Sequence, residues 1–378
     1  MALYVGNSSS VAKKMKKLYV GVNGVARKVK KLYVGVNGIA RKVFGGGELS
    51  YLGQVTPLTR ARSALGSAMI GNYALFAGGW AGSNSTYYSD VDSYNTSLTK
   101  QAATALSQAR NYLSGTTVGD YALFGGGKYR SAVYGTVNSY NTSLTRGTPS
   151  SFSTIRYSYG ATTVGNYALF AGGYDGSSYS KKLNAYDSSL TRTVPTDLSQ
   201  VRSNLAAVTI GNYALFGGGA DGGTTYKIVD TYDSSLTKGV ATDLRYAKDH
   251  LSAIASNNYA LFAGGGDTFI THRTEVDTYD SSLTKGTAPD LSLSRNNIAV
   301  AKLENYTIFV GGYYAKSINS EYTNVVDVYD DSLTHTIPEP IDAASTSLQG
   351  ATVGDYALFG GGSDNNGYSS NVYSYQIS

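Results

Sequence analysis

One basic residue recurs through most of the chain, at a position from which it could bind an anion. Each copy precedes a tyrosine by 11 residues, and the copies are Arg62, Arg110, Arg156, Arg202, Lys248 and Arg295, with Ser345 at the seventh position. Guanidinium and ammonium groups bind carboxylates and phosphates. Two interpretations stay open: these side chains form a ligand-binding ring, or they are structural groups that bond to backbone carbonyls or stack on a neighbouring tyrosine.

Tyrosines are concentrated in the segments whose length varies from copy to copy. These segments are 9 to 13 residues long, whereas the spacings on either side of them are constant. Tyrosine mixed with serine, glycine and asparagine is typical of adaptable recognition loops. The alternative is that these loops only tolerate insertions. The candidate ligand-binding residues in them are Trp80, Tyr87, Tyr88, Tyr129, Tyr174, Tyr179, Tyr226, Tyr313, Tyr314, Tyr322 and Tyr368.

Other chemistry is not indicated. The chain has no cysteine, which excludes disulfides, thiolate metal ligands and a cysteine nucleophile. The histidines His250, His272 and His335 lack metal-ligand spacing, and no glycine-rich phosphate loop precedes a helix. We therefore predict no catalytic residue, no metal and no cofactor. A polysaccharide-degrading enzyme is the least favoured alternative.

The strands that position these residues are predicted from a nine-residue motif that occurs seven times in the sequence. GNYALFAGG at residues 71–79 returns in close variants, with tyrosine-to-tyrosine periods of 48, 46, 46, 46, 47 and 50 residues. A period of 40–50 residues made of short strands and polar turns predicts a β-propeller with one four-stranded blade per repeat. The fold class is therefore all-β, with seven blades. A second motif, VDxYD, predicts strand c, and its aspartates are expected to be structural.

The ring is expected to close through the amino-terminal end of this region. The seventh repeat ends after strand c, and residues 50–62 match in length the segment that carries strand d elsewhere. We predict that this segment supplies the outer strand of the last blade, which leaves no open seam. In an antiparallel blade the b–c and d–a loops emerge on the same face. The basic residues and the tyrosine-rich loops are therefore expected to share one face.

Charge divides the chain into two regions. Residues 1–43 hold ten basic side chains and no acid. We predict a basic β-hairpin region at 1–44, a glycine-rich linker at 45–48 and the propeller at 49–378. Asn-Gly pairs at 23–24 and 37–38 are two-residue hairpin signals. Attachment to another protein or self-association is favoured for residues 1–44, and nucleic-acid binding is not, because little aromatic character accompanies the charge.

The repeats resemble the Kelch family over roughly residues 48–378. The resemblance rests on the double glycine after an apolar strand, the VDxYD strand and the arginine before the next blade. The tryptophan usual after the Tyr-Asp pair is missing, since Gln101, Gly239 and Gly286 stand there. Kelch-type rings serve mostly as binding platforms, so the resemblance implies a non-enzymatic binding protein, and a general protein–protein interaction module is one alternative.

The first repeats resemble tail-associated structural proteins of phages that infect Gram-positive bacteria. LYVGVNGVARKVKK at 18–31 carries this resemblance. It implies a virion protein, assembled in the host cytoplasm, whose propeller binds a glycan or protein on the host cell surface while residues 1–44 bind another tail protein. A structural adaptor that cements tail proteins is the rival. The chain shows neither an apolar signal core nor a stretch long enough to span a bilayer, so we expect no secretory signal and no membrane span.

Overall fold

The computed structural model describes residues 4–5, 13–14, 19–22, 25–28, 32–36, 39–44, 48–82, 86–267, 272–316 and 319–377. These residues form strands and turns, and they include no α-helix. The chain divides into two compact units, Met1–Ser50 with Gln376–Ser378, and Tyr51–Tyr375. Most of the predicted linker, residues 45–47, lies outside the described residues.

The first unit contains three antiparallel strand pairs. Tyr4–Val5 pairs with Lys13–Lys14, Tyr19–Val22 with Val25–Lys28, and Leu32–Val36 with Ile39–Phe44. Val22 is opposite Val25 and Val36 is opposite Ile39. Both registers are the ones that the Asn-Gly pairs predict.

The second unit is a seven-bladed β-propeller, and each blade is a four-stranded sheet whose two inner strands are a and b. Strand a is the innermost strand of each blade. Its copies are Gly66–Ile70, Ser114–Val118, Gly160–Val164, Ala206–Ile210, Ser252–Ala255, Ala299–Leu303 and Gln349–Val353. Strand b comes from the repeated phrase. Its copies are Tyr73–Ala77, Tyr121–Gly125, Tyr167–Ala171, Tyr213–Gly217, Ala260–Ala263, Tyr306–Val310 and Tyr356–Gly360.

The two outer strands complete each sheet. The copies of strand c are Val91–Asn95, Val137–Tyr140, Leu183–Asp187, Val229–Asp233, Val276–Tyr279, Val326–Asp330 and Val372–Ile377. The copies of strand d are Lys100–Ala102, Arg146–Gly147, Arg192–Thr193, Lys238–Ala241, Lys285–Ala288, His335–Thr336 and, for the last blade, Leu49–Gln54. The order a-b-c-d holds in all seven sheets.

The ring closes as the sequence predicts. Leu49–Gln54 lies beside strand c of blade 7 in the last sheet. The Val55 amide donates to the Val372 carbonyl at 2.9 Å, and the Ser374 hydroxyl donates to the Gly53 carbonyl at 3.1 Å. Strand a of blade 7 also contacts strand a of blade 1, so neighbouring inner strands touch around the whole circle. The last blade is therefore completed by chain from upstream of the first.

The hydrophobic core lies between adjacent blades. Leu75 and Ala77 of blade 1 pack with Phe124 and Tyr140 of blade 2, and equivalent clusters lie between five other pairs of neighbouring blades. The strand-b residues at the centre are inaccessible to solvent. A single blade would expose both apolar faces of its sheet to water, and burial of these faces between neighbouring blades is the main contribution to the stability of the ring. The motif therefore has to be repeated around the ring.

The double glycine after strand b allows the next blade to approach. At the first glycine of blade 4, Gly218, φ is +69°, and an added Cβ would lie 2.5 Å from the Lys248 carbonyl oxygen. The following glycine, Gly219, donates its amide to that same oxygen at 2.9 Å. Any side chain would both strain the left-handed backbone and displace the neighbouring carbonyl. The pair therefore joins consecutive blades.

Candidate functional site

The b–c segments and the d–a junctions form one face of the ring, which we call the hairpin face. In every repeat the residue after the double glycine pairs with the residue after the basic position, as in Ser63 with Trp80 and Asn111 with Lys128. Most b–c segments then fold back on themselves. Examples are Trp80–Ala81 with Thr86–Tyr87, Lys128–Tyr129 with Ala132–Val133, Tyr313–Lys316 with Asn319–Tyr322, and Ser363–Asp364 with Gly367–Tyr368.

The six basic residues do not reach this face, which corrects the interpretation of them as ligand contacts. Arg62, Arg110, Arg156, Arg202 and Arg295 are 0% exposed and Lys248 is 1% exposed. Each donates to the carbonyl of the strand-b phenylalanine of its own blade, at 3.0 to 3.4 Å. The sequence could not separate the two interpretations, because the spacing is the same whether the side chain points outward or inward. The buried geometry supports the structural alternative.

Four of these cations face an aspartate of strand c. Arg202 and Asp230 are 2.8 Å apart, and Arg295 and Asp327 are 2.6 Å apart. The pairs Arg62–Asp92 and Lys248–Asp277 are equivalent. Burial alone raises the pKa of Asp327, but Arg295 and the hydrogen bonds from Ser292 and His335 outweigh it, so this pKa is held below its ordinary value. These aspartates are structural, as predicted from the VDxYD motif.

Blades 2 and 3 differ, because asparagine replaces the aspartate. Arg110 donates to Asn138 Oδ1 at 3.0 Å, and Arg156 donates to Asn184 Oδ1 at 2.9 Å. Neither arginine has a carboxylate within salt-bridge distance among the described residues. Burial lowers the pKa of both guanidinium groups to about 10. Both therefore remain protonated at neutral pH without any described carboxylate in direct contact.

Blade 7 dispenses with both charges. Ser345 stands in the basic position and Tyr373 in the aspartate position, and both side chains are fully buried. A hydrogen bond from Ser345 acts on the phenol of Tyr373, whose pKa is nevertheless raised by burial. In this blade, loss of the buried cation is therefore matched by loss of the buried anion.

The predicted aromatic residues of the b–c segments do lie on the hairpin face. All eleven are partly exposed. Some hold their own hairpin together: the Tyr226 hydroxyl donates to Asp221 Oδ2 at 2.6 Å, and the Tyr314 hydroxyl donates to Glu321 Oε2 at 2.7 Å. These two are therefore fixed by acidic partners within their loops.

Most of the other aromatics make two groups of ring contacts, the first across blades 7, 1 and 2 and the second across blades 2 and 3. We call this set the aromatic arc: Tyr368, Trp80, Tyr87, Tyr129, Tyr112, Tyr157, Tyr174 and Tyr179. Trp80 contacts Tyr368 and Tyr87 at centroid distances of 5.6 and 6.1 Å, and Tyr87 contacts Tyr129 at 4.8 Å. Tyr157 contacts Tyr112 and Tyr174 at 6.0 and 5.7 Å, and Tyr179 follows at 4.7 Å from Tyr174.

Tyr112 and Tyr157 were not predicted, because they lie in the d–a junctions and not in the variable loops. Tyr112 belongs to a circle of residues two positions after each basic residue, which we call the mouth ring. Its members are Ala64, Tyr112, Ser158, Asn204, His250, Asn297 and Ser347, and their φ values lie between 48° and 56°. The signal in the sequence was available: this position differs between repeats although its spacing is constant.

Backbone hydrogen bonds explain the unusual conformation of the mouth ring. The Tyr112 amide donates to the Ala64 carbonyl at 2.9 Å, and Ser158 donates to Tyr112 at 3.3 Å. Asn204, His250 and Asn297 continue the pattern. The left-handed conformation disfavours residues other than glycine and asparagine. Here this conformation allows the backbone amides of most mouth-ring residues to bond to the carbonyl of the previous one, while the mouth-ring residues together line the channel.

The mouth ring surrounds the entrance of a central channel. A cavity of 350 Å³ is lined by the mouth ring and by the buried residues that follow it, such as Leu113 and Tyr159. A second cavity of 320 Å³ is lined by small residues of strand a, among them Ser67, Gly115 and Ala207. Volumes of this size are typical of small-ligand sites. Recognition on this face can therefore involve both an open aromatic surface and a narrow central opening.

Two other kinds of site are absent from the described ranges. No group of three or more His, Asp or Glu side chains is placed to hold a metal ion there. No helix in that part of the chain is long and apolar enough to cross a membrane.

Comparisons with known proteins agree with the fold. No protein-family model matches the sequence, and no curated protein is similar to it. Among solved structures, that of YjhT is similar, with a TM-score of 0.59 and 13% identity over 75% of this chain and 99% of that chain. At this identity the similarity shows the fold alone: the chain contains a seven-bladed β-propeller.

Proposed function

We propose that this chain is a non-enzymatic binding protein whose hairpin face binds a host cell-surface glycan or protein. The observation that carries the proposal is the aromatic arc, in which eight rings from four blades lie in two contacting groups on the one face where the repeats differ in length and composition. Aromatic rings on a rigid support supply contact area at low entropic cost. Propellers are often interaction modules, and the Kelch resemblance favours the same role.

The resemblance of residues 18–31 to phage tail proteins favours a location for this binding protein in the virion. In this proposal the protein is part of a virion, and residues 1–44 attach it to another tail protein or to a further copy. Their ten basic side chains and lack of acids suit an acidic partner. The propeller then faces the host.

Binding of the labelled full chain to a panel of intact Gram-positive bacteria tests the proposal. We expect saturable binding to some strains and a large loss for the variant Tyr157→Ala with Tyr174→Ala. Met69→Ala is the matched control, because Met69 is 46% exposed at the far end of strand a. Absence of binding to every strain, or equal loss in the control, would contradict the proposal.

A structural adaptor of the tail is the second candidate, favoured by the paired strands of the basic first unit. It predicts that virions lacking this protein fail to assemble, whereas the binding role predicts complete virions that do not adsorb. An enzyme that degrades wall polysaccharides would release shortened products from purified walls, and we expect none.

A further inference from the structure

The hairpin face is uneven in charge, and blade 2 is its positive sector. The b–c segment of blade 2, residues 128–136, carries Lys128 and Arg130 and no acid. Every other b–c segment holds at least one aspartate or glutamate. Since residues 44–378 have more acidic than basic groups, a sector with only cations is not a consequence of overall composition.

Both cations of this sector lie over aromatic faces of the arc. Lys128 Nζ is 5.4 Å from the ring centroid of Tyr112 and 4.7 Å from that of Tyr157. The Arg130 guanidinium is 5.5 Å from the centroid of Tyr129. Neither cation forms a salt bridge within the described part of the chain. The rings hold the charges in position but do not neutralise them.

The interior beneath this sector adds to its positive potential. Arg110 and Arg156 are the two buried arginines that face asparagine instead of aspartate. Arg110 directly precedes Asn111, whose backbone pairs with that of Lys128. Charges in a poorly solvated blade act at longer range than charges in water.

Resting on the proposed function, we infer that the ligand of the hairpin face is an acidic saccharide bound over blades 2 and 3. Its sugar rings stack on Tyr157 and Tyr174, and a carboxylate or phosphate on the chain pairs with Lys128 and Arg130. Aromatic faces bind the apolar faces of sugars, and charge-assisted hydrogen bonds to the acid fix the orientation.

The charges around the sector favour a saccharide over a nucleic acid. Asp175 in blade 3 and Asp90 in blade 1 lie in the neighbouring b–c segments. A continuous polyanion would meet these carboxylates as soon as it left blade 2. A polymer whose acidic groups are separated by neutral rings would not. The positive sector is therefore suited to isolated negative charges.

Fluorescence of Trp80 provides a readout confined to this face, because Trp80 is the only tryptophan of the chain. Binding of a polyanion to the basic residues 1–43 alone involves no tryptophan. The full chain is titrated with sparsely carboxymethylated dextran, with sparsely phosphorylated dextran and with neutral dextran. We expect a saturable fluorescence change with an acidic polymer, none with dextran, and weaker binding as salt increases. The two acidic polymers distinguish a carboxylate from a phosphate as the preferred group.

Two double variants remove the same charge from different parts of the face. Lys128→Gln with Arg130→Gln is expected to weaken binding of the acidic polymer at least roughly tenfold. Lys227→Gln with Arg245→Gln, whose cations are already paired with Asp243 and Asp290, should change it less than about twofold. Equal losses in the two variants, an equal response to dextran, no response to either acidic polymer, or tighter binding of a single-stranded oligonucleotide would overturn the inference.

The cell-binding assay distinguishes failure of the acidic-saccharide inference from failure of the proposed host-binding function. If the chain binds bacteria equally well before and after Lys128→Gln with Arg130→Gln, the acidic-saccharide inference is wrong and the binding role stands. If acidic polymer binds through this sector but no strain is bound, the host-binding role is wrong and the inference stands.

Discussion

The interior of the blades and the hairpin face follow opposite rules, although each blade supplies both from one repeat. Inside, one set of contacts recurs with little change: a buried basic residue, a strand-b carbonyl and a strand-c acceptor. On the face, equivalent positions hold Trp80, Lys128, Tyr174, Ala220, Gly266, Tyr313 and Ser363. Packing of neighbouring blades therefore constrains the interior of six blades to the same contacts, whereas the residues on the hairpin face differ from blade to blade.

The largest expected effect comes from raising the pH, which acts on the interior of all blades. In each blade a buried strand-c tyrosine donates its hydroxyl to a carbonyl, and burial raises its pKa above the ordinary 10.0, as for Tyr94 and Tyr232. Because the folded pKa is raised, this stability is complete below pH 10 and is lost as the pH rises further. We expect the tyrosinate absorbance of these residues to appear together with unfolding by circular dichroism. Their ionisation in a folded ring would contradict the assignment.

Removing a buried cation is the next test of the interior. Arg202→Ala leaves Lys238 as the only cation in the described ranges that pairs with the buried Asp230, and we expect a loss of about 3–5 kcal/mol in the free energy of unfolding by denaturant. Blade 7 supplies the matched control. Arg202→Ser with Asp230→Tyr copies Ser345 and Tyr373, and it should recover much of the loss. A cost below about 1 kcal/mol for Arg202→Ala would show that the pair is dispensable.

The double glycine gives a smaller effect at a single junction. Gly218→Ala brings a methyl group to 2.5 Å from the Lys248 carbonyl at a positive φ, so we expect a loss of about 2–4 kcal/mol. Gly223→Ala is the control, because the nearest atom to its Cβ would be 3.9 Å away. Similar unfolding midpoints for the two variants would argue against close approach as the reason for the repeated glycines.

The sequence allowed the interior to be predicted better than the face. The repeat period, the strand order and the ring closure could be predicted from the repeated motif and from residues 50–62. Strands and turns depend mainly on residues that are close together in the sequence, so they can be recognised there. The sequence does not show whether the side chains of Arg62 and its equivalents point to the surface or to the interior, since an arginine can bind a ligand or a buried carbonyl equally well. Tyr112 and Tyr157 were missed for a related reason: only the folded junctions bring them beside the loops of other blades.

Charge in blade 2 connects the two regions and gives a smaller effect. Asn138→Asp gives Arg110 the carboxylate that Arg202 already has, so we expect a gain of the order of 1 kcal/mol in stability. The same change should weaken binding of an acidic polymer a few-fold, because it lowers the positive potential without altering the surface. Calorimetry and the Trp80 titration measure the two effects. Tighter binding in this variant would contradict the proposed role of the buried charge.

The most direct test of the account compares stability and cell binding in two variants of the full chain. Arg202→Ala should lower the unfolding midpoint while the fraction that remains folded binds bacteria normally. Tyr157→Ala with Tyr174→Ala should change the midpoint little, since both rings are partly exposed, and should reduce binding at least roughly tenfold. If the tyrosine variant binds bacteria as the unaltered chain does, the hairpin face is not the binding surface.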